Sequence, residues 1–182
     1  MKLQRKLHKI LPFIWTGLLT ACATTSPSPI PPPPYNNFFL SLQVDQPVYA
    51  INEKAKVYVQ STKDCYLSLY DINPLNSITQ IFPNRFASDN LIQANLTYQI
   101  PDPKDTFDLL VTGPPGIEKI WAICTLDKVD LLPDNWVDRG GDFPRIKGTR
   151  SEFNKMVAKN LSVVPRDRKA EATVTFRVVQ YK

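Results

Sequence analysis

Beyond residue 38 the chain breaks into short runs in which apolar and polar side chains alternate with a period of two, the pattern of strands with one buried face. Residues 39–44 form the first such run. In the second, Ala55, Val57 and Val59 alternate with Lys54, Lys56, Tyr58 and Gln60, after a turn at Asn52 and Glu53. Cys65, Leu67 and Leu69 share one face of a third, with Tyr66, Ser68 and Tyr70 opposite. Asn73, Pro74, Leu75 and Asn76 make a turn by composition, and residues 77–82 return as a partner strand. Residues 96–100, 106–112 and 117–125 continue the series, divided by Pro101-Asp102-Pro103 and by Gly113-Pro114-Pro115-Gly116. Short strands at about ten-residue spacing predict a mainly β fold, an immunoglobulin-like antiparallel β-sandwich.

The period becomes helical in one place. Residues 152–161 put Phe153, Met156, Val157 and Leu161 on one side, with Ser151 as the N-cap, which predicts one short helix near the C-terminus. Residues 172–181 close the chain as a strand that turns Val174, Phe176 and Val178 inward and Thr175 and Arg177 outward. Residues 127–150 follow neither period and contain Pro133, Gly140, Gly141 and Pro144, so a long irregular loop is expected there. One domain over residues 38–182 results, about 145 residues long, an ordinary domain size.

The residues before it have a different organisation. Lys2, Arg5, Lys6 and Lys9 precede an apolar run over residues 10–19 and the small residues Thr20 and Ala21, the order of a secretory signal over residues 1–21. The run is about half of the roughly twenty residues a membrane span needs. Leu19-Thr20-Ala21-Cys22 resembles the lipobox of bacterial lipoproteins. That resemblance implies cleavage before Cys22, a diacylglyceryl group on its thiol and a further acyl chain, such as palmitate, on its amine. Two or more chains anchor a protein stably, since each buried methylene contributes about 0.8 kcal/mol. With Ala23 rather than Asp after the cysteine, the same resemblance implies the outer membrane, with the domain facing the periplasm. Residues 22–37 then form a tether with six prolines among residues 27–34, a semi-rigid polyproline spacer.

Loss of the leader changes the charge picture. The formal charge of +5 includes four basic residues of the signal, and the remaining 18 basic residues nearly balance the 17 acidic ones. A nucleic-acid footprint is therefore not expected. The distribution is uneven, with seven basic and thirteen acidic residues from position 22 to 138, and eleven and four from 139 onward. The only histidine, His8, lies in the signal, so the mature protein has no imidazole for triads, zinc or general acid-base work. Gly113-Pro114-Pro115-Gly116 lacks the amide donors of a phosphate loop. No enzyme activity, cofactor or metal is expected.

Three groups of residues remain as candidates. Cys65 and Cys124 are an even pair in an oxidising compartment, and a disulfide and two buried free thiols both fit the sequence. Asp127, Asp130, Asp134 and Asp138 recur at spacings of three and four, but Pro133 interrupts the helix that would align them for calcium or for a glycosidase pair. Trp136, Arg139, Phe143, Arg145, Lys147 and Arg150 bring together the aromatic and arginine side chains that interfaces favour, and mark the expected contact with a partner.

A family resemblance runs through the first half of the domain. It rests on Tyr49, Glu53, Val57 and Val59; Asp64-Cys65-Tyr66-Leu67 with Asp71-Ile72-Asn73; Ile81-Phe82-Pro83-Asn84; Tyr98, Ile100 and Pro101; and Gly116-Ile117-Glu118. Over residues 38–126 these resemble the bacterial domain of unknown function 4384, with the Phe-Pro-Asn element the most specific part. The resemblance implies an extracytoplasmic β-sandwich, found alone in lipoproteins or appended to enzymes such as protein kinases and caspase-like proteases, and supplies no catalytic residues. The expected function is a non-enzymatic envelope lipoprotein that binds other envelope proteins as a scaffold, for instance in an envelope-spanning secretion apparatus. A glycan- or peptide-binding module using residues 70–84, and a carboxylate-based hydrolase, are the alternatives.

Overall fold

The computed structural model describes residues 37–180; the signal, Cys22 and the proline tether lie outside the described residues. In chain order the strands are β1 (Leu40–Val44), β2 (Val48–Ala50), β3 (Lys54–Ala55), β4 (Val57–Ser61), β5 (Cys65–Ile72), β6 (Ile78–Phe82), β7 (Leu91–Ile92), β8 (Thr97–Ile100), β9 (Leu109–Leu110), β10 (Gly116–Thr125), β11 (Val137–Asp138), β12 (Arg145–Ile146) and β13 (Lys169–Val179), with helix α1 (Arg150–Ser162) before the last. A small sheet has the order β1-β4-β8. A large one runs β11-β12-β6-β5-β10-β13-β2, with β7 also beside β5, and β3 pairs with β9. The pairings are antiparallel except for the short one between β13 and β2.

The mainly β sandwich read from the alternation is therefore present. Inward residues of both sheets make its core, in which Val57, Val59, Cys65, Leu67, Leu69, Ala122 and Cys124 have no exposed surface. Burying a side chain the size of Val or Leu contributes about 1.5–3 kcal/mol, so this seam dominates the stability of the sandwich.

The large sheet also has a covered outer face. Tyr70, Ile72 and Ile123 point away from the sandwich core into a second cluster with Phe153, Val157 and Leu161 of the helix. The spacing of those three helical residues is the one the sequence predicts, and it makes α1 a third layer. The helix begins at Arg150, so its N-cap lies two residues before Ser151. Thr149 is its N-cap: its hydroxyl accepts from the Glu152 amide at 3.3 Å, and the Glu152 carboxylate accepts from the Thr149 amide at 2.8 Å. Ser151 lacks an acidic or amide partner of this length three residues on, so the reciprocal capping box wins.

Residues 127–150 are irregular over most of their length, as expected, but two two-residue strands interrupt them. Leu131, Leu132, Val137 and Ile146 are buried in the second cluster, and β11 and β12 form a hairpin that extends the large sheet beyond β6. Register is set by Val137 opposite Ile146 and by Ile146 opposite Ile78, which keeps the apolar residue of each short strand on the helix side. The strand expected over residues 106–112 shrinks to β9, because Pro103 and Gly113 bracket a segment whose inward residues, Leu109 and Val111, reach the core without a long ladder.

Candidate functional site

The register of β5 against β10 places two residue pairs in the same relation. Leu67 lies opposite Cys124 and Asp71 opposite Ile120, so Cys65 is the diagonal neighbour of Cys124 just as Asp71 is of Glu118. All four point into the sandwich. At one end the diagonal carries a disulfide between Cys65 and Cys124, with the Cα atoms 5.5 Å apart, inside the range such bridges need. At the other end it carries two carboxyl groups.

Those carboxyls lie in a cleft of about 570 Å³. Its floor is Asp71, Glu118, Ile120 and Phe176; one wall is Ile81 with the β11–β12 hairpin, and the facing wall is Ala55, Val57 and residues 108–112. Glu118 is only 6% exposed, and both Asp71 Oδ1 and Glu118 Oε2 are buried with no hydrogen-bond partner. Among the described residues neither carboxyl has a cation within ion-pair distance. Burial pushes the Asp71 carboxyl well above the usual range, and the neighbouring charge of Glu118 adds to the shift; burial also raises Glu118. The pair therefore holds on to a proton at pH values where free carboxyls have lost theirs.

Stability should carry the mark of this pair. Both groups bind protons more tightly folded than unfolded, so the native state holds more protons between the unfolded value of about 4 and the raised folded values, and stability falls as pH rises through that window. Below it the penalty vanishes. The other charged groups facing the cleft are Asp108, Asp138, Asp142 and Arg145. Urea titrations at several pH values should show the decline, and the double variant Asp71→Asn, Glu118→Gln should flatten it. An unchanged slope would mean that these carboxyls carry no penalty.

The mouth is held by aromatic and ionic contacts. Phe107 stacks on Phe86 at 5.5 Å and meets the edge of Phe143 at 5.7 Å, while Arg85 pairs with Asp142 at 2.8 Å. Lys54 pairs with Asp108 at 2.7 Å on the facing wall. Both ion pairs are exposed, so each contributes little to stability and is easily exchanged.

The sequence candidates separate on this structure. Phe143 and Arg145 line the cleft, and Arg139 is exposed, paired with Asp134 at 3.1 Å. Lys147 is exposed, and Arg150, also exposed, donates to Asn76 Oδ1 at 3.2 Å at the start of the helix. Trp136 is half-buried against the second cluster, next to Gly148, whose φ of +86° turns the chain where a Cβ would stand 3.2 Å from the indole. The aspartate series does not converge. Asp127 takes both arms of Arg168 at 2.7 and 2.8 Å, Asp138 accepts from the Gly140 amide at 3.0 Å, and no group of three or more metal-binding side chains exists among the described residues.

Residues 70–84 hold the end of β5, the turn at residues 73–77 and strand β6. Asn84 is buried, with its Oδ1 accepting from the amides of Phe86 and Ala87 at 2.8 and 2.9 Å and its Nδ2 donating to the Ile81 carbonyl at 2.9 Å. Tyr70 is buried under the helix. The Phe-Pro-Asn element thus shapes the chain. Tyr49 is similar: it is fully buried, packs on Phe176 at 5.0 Å and donates its hydroxyl to Asp45.

The described residues thus define a sandwich domain with an acidic interior cleft at one end. A family model described as "Domain of unknown function (DUF4384)" matches residues 48–128, a span that holds β2 to β10, both cysteines and both buried carboxyls. The domain resembles that family there, while the hairpin wall, α1 and β13 lie beyond the match. No curated protein matches the chain.

Proposed function

We propose that this chain is a non-enzymatic envelope lipoprotein, anchored through Cys22 in the outer membrane, whose β domain faces the periplasm and docks another envelope protein along the edge of its large sheet. The observation that supports this is the hairpin at residues 137–146. Its strand β11 ends the sheet with no neighbour on its outer side among the described residues, and exposed Arg139, Arg145 and Lys147 surround it. A free edge adds a partner strand through main-chain hydrogen bonds, and the surrounding charges select which one. A place in an envelope-spanning secretion apparatus is the version that architecture suggests, by analogy. The peptide- or glycan-binding reading is favoured by the cleft beside that edge.

A photo-crosslinker at Lys147 in intact cells should trap a discrete envelope protein, and one at Val163, on the exposed end of the helix, should not. Recovery of uncrosslinked protein alone from both positions would overturn the docking role. Cys22→Ser should move the protein out of the membrane fraction; retention there would overturn the anchor.

A further inference from the structure

We propose that the cleft on the β5–β10 floor is a receptor for an alkylammonium group, carried by a free amine or by the lysine side chain of a docked partner. The inference deepens the reading of the domain as a binding module and rests on it.

Two unpartnered oxygens, Asp71 Oδ1 and Glu118 Oε2, belong to different residues yet lie in one cavity. A buried acceptor without a donor is costly, so a group that supplies donors to both is favoured there. An ammonium has three donors on a compact centre, enough for both oxygens, whereas a planar guanidinium matches one carboxylate bidentately. The walls fit the rest of such a ligand. Ile81, Ile120, Leu109 and Phe143 line the route inward and suit a methylene stem. Of the five carboxyls lining the cleft, Asp108 and Asp142 are paired with Lys54 and Arg85, which leaves Asp71, Glu118 and Asp138 against the one lining guanidinium of Arg145, a field that still favours a cation. No cluster of three or more metal-binding side chains exists among the described residues, which argues for an organic cation.

The test uses the full-length protein in detergent at neutral pH. Calorimetric titration with pentane-1,5-diamine and with Nα-acetyl-lysine N-methylamide should each give saturable binding, while Nα-acetyl-norleucine N-methylamide should give none. Tighter binding of the diamine assigns the site to small amines, and tighter binding of the lysine derivative assigns it to a partner's side chain. Asp71→Asn and Glu118→Gln should each weaken binding about tenfold or more, since each removes a charged acceptor. Asp134→Asn, an exposed aspartate outside the cleft, should leave affinity unchanged and controls for net charge. Lowering the pH toward 4.5 should weaken binding to the unaltered protein as the pair takes up protons, a readout that needs no variant.

Absence of binding by both amines, or equal binding by norleucine, would overturn the proposal. So would affinity unchanged in both carboxyl variants. Should the amines fail while the Lys147 crosslink persists, the receptor falls and the docking role stands.

Discussion

Phe153→Ala is expected to destabilise the domain by about 3–5 kcal/mol, the range for removing a fully buried phenylalanine ring. Phe153 has no exposed surface and meets Tyr70 at 5.0 Å and Trp121 at 5.7 Å, both edge-on, so one substitution empties the centre of the second core. The helix itself is not weakened, because alanine is the strongest helix former. The whole loss therefore reports packing of α1 on the sheet. Against a total stability of about 5–15 kcal/mol this is a large fraction. Urea unfolding should show a lower midpoint with an unchanged slope, and near-ultraviolet dichroism from Trp121 should diminish. Val163→Ala, at a side chain 82% exposed, should change stability by less than about 0.5 kcal/mol. A Phe153→Ala loss below about 1 kcal/mol would mean that the helix is not a packed layer.

That third layer shows which parts of the fold a single chain of letters makes legible. The strands with long alternation, β4, β5, β10 and β13, are readable because period two persists over several residues. The helix face is readable for the same reason at period 3.6. By contrast β11 and β12 are two residues each, too short to have a period, and their Val137 and Ile146 look like loop residues until the sheet supplies Ile78 as a neighbour. Trp136, an aromatic in the same stretch, is half-buried against the second cluster, a packing that no period announces.

The carboxyl pair left a signal that alternation alone carries. Asp71 takes the inward position after Leu67 and Leu69, and Glu118 the inward position before Ile120 and Ala122, places where an acid is out of pattern. What alternation cannot give is register. A bridge between Cys65 and Cys124 supplies it, since the diagonal that joins those sulfurs, carried six residues along both strands, joins Asp71 to Glu118. The cleft's outer wall lay beyond this reasoning because it belongs to the hairpin.

Reduction of the Cys65–Cys124 bridge, or its replacement by two alanines, is the other change expected to be large. The two cysteines are 59 residues apart in sequence, and a cross-link closing a loop of that length lowers the entropy of the unfolded chain by an amount worth about 4 kcal/mol. Measured values run to about 2–5 kcal/mol when a native bridge is removed. Thiol labelling of the mature protein, denatured without reductant, should leave both cysteines unmodified; two reactive thiols would show that no bridge forms. Because the entropic contribution acts on the unfolded chain, the reduced protein should keep its strand register, which the continuous pairing of β5 with β10 from Tyr66 opposite Thr125 to Ile72 opposite Lys119 maintains without the bridge. The carboxyl pair lies six residues away along β5, about 20 Å at strand rise, too far to couple directly with the bridge. The fall in stability with rising pH should therefore persist with the same slope after reduction, displaced downward as a whole. A slope that disappeared together with the bridge would mean that the disulfide, and not the apolar pattern, holds Asp71 against Glu118.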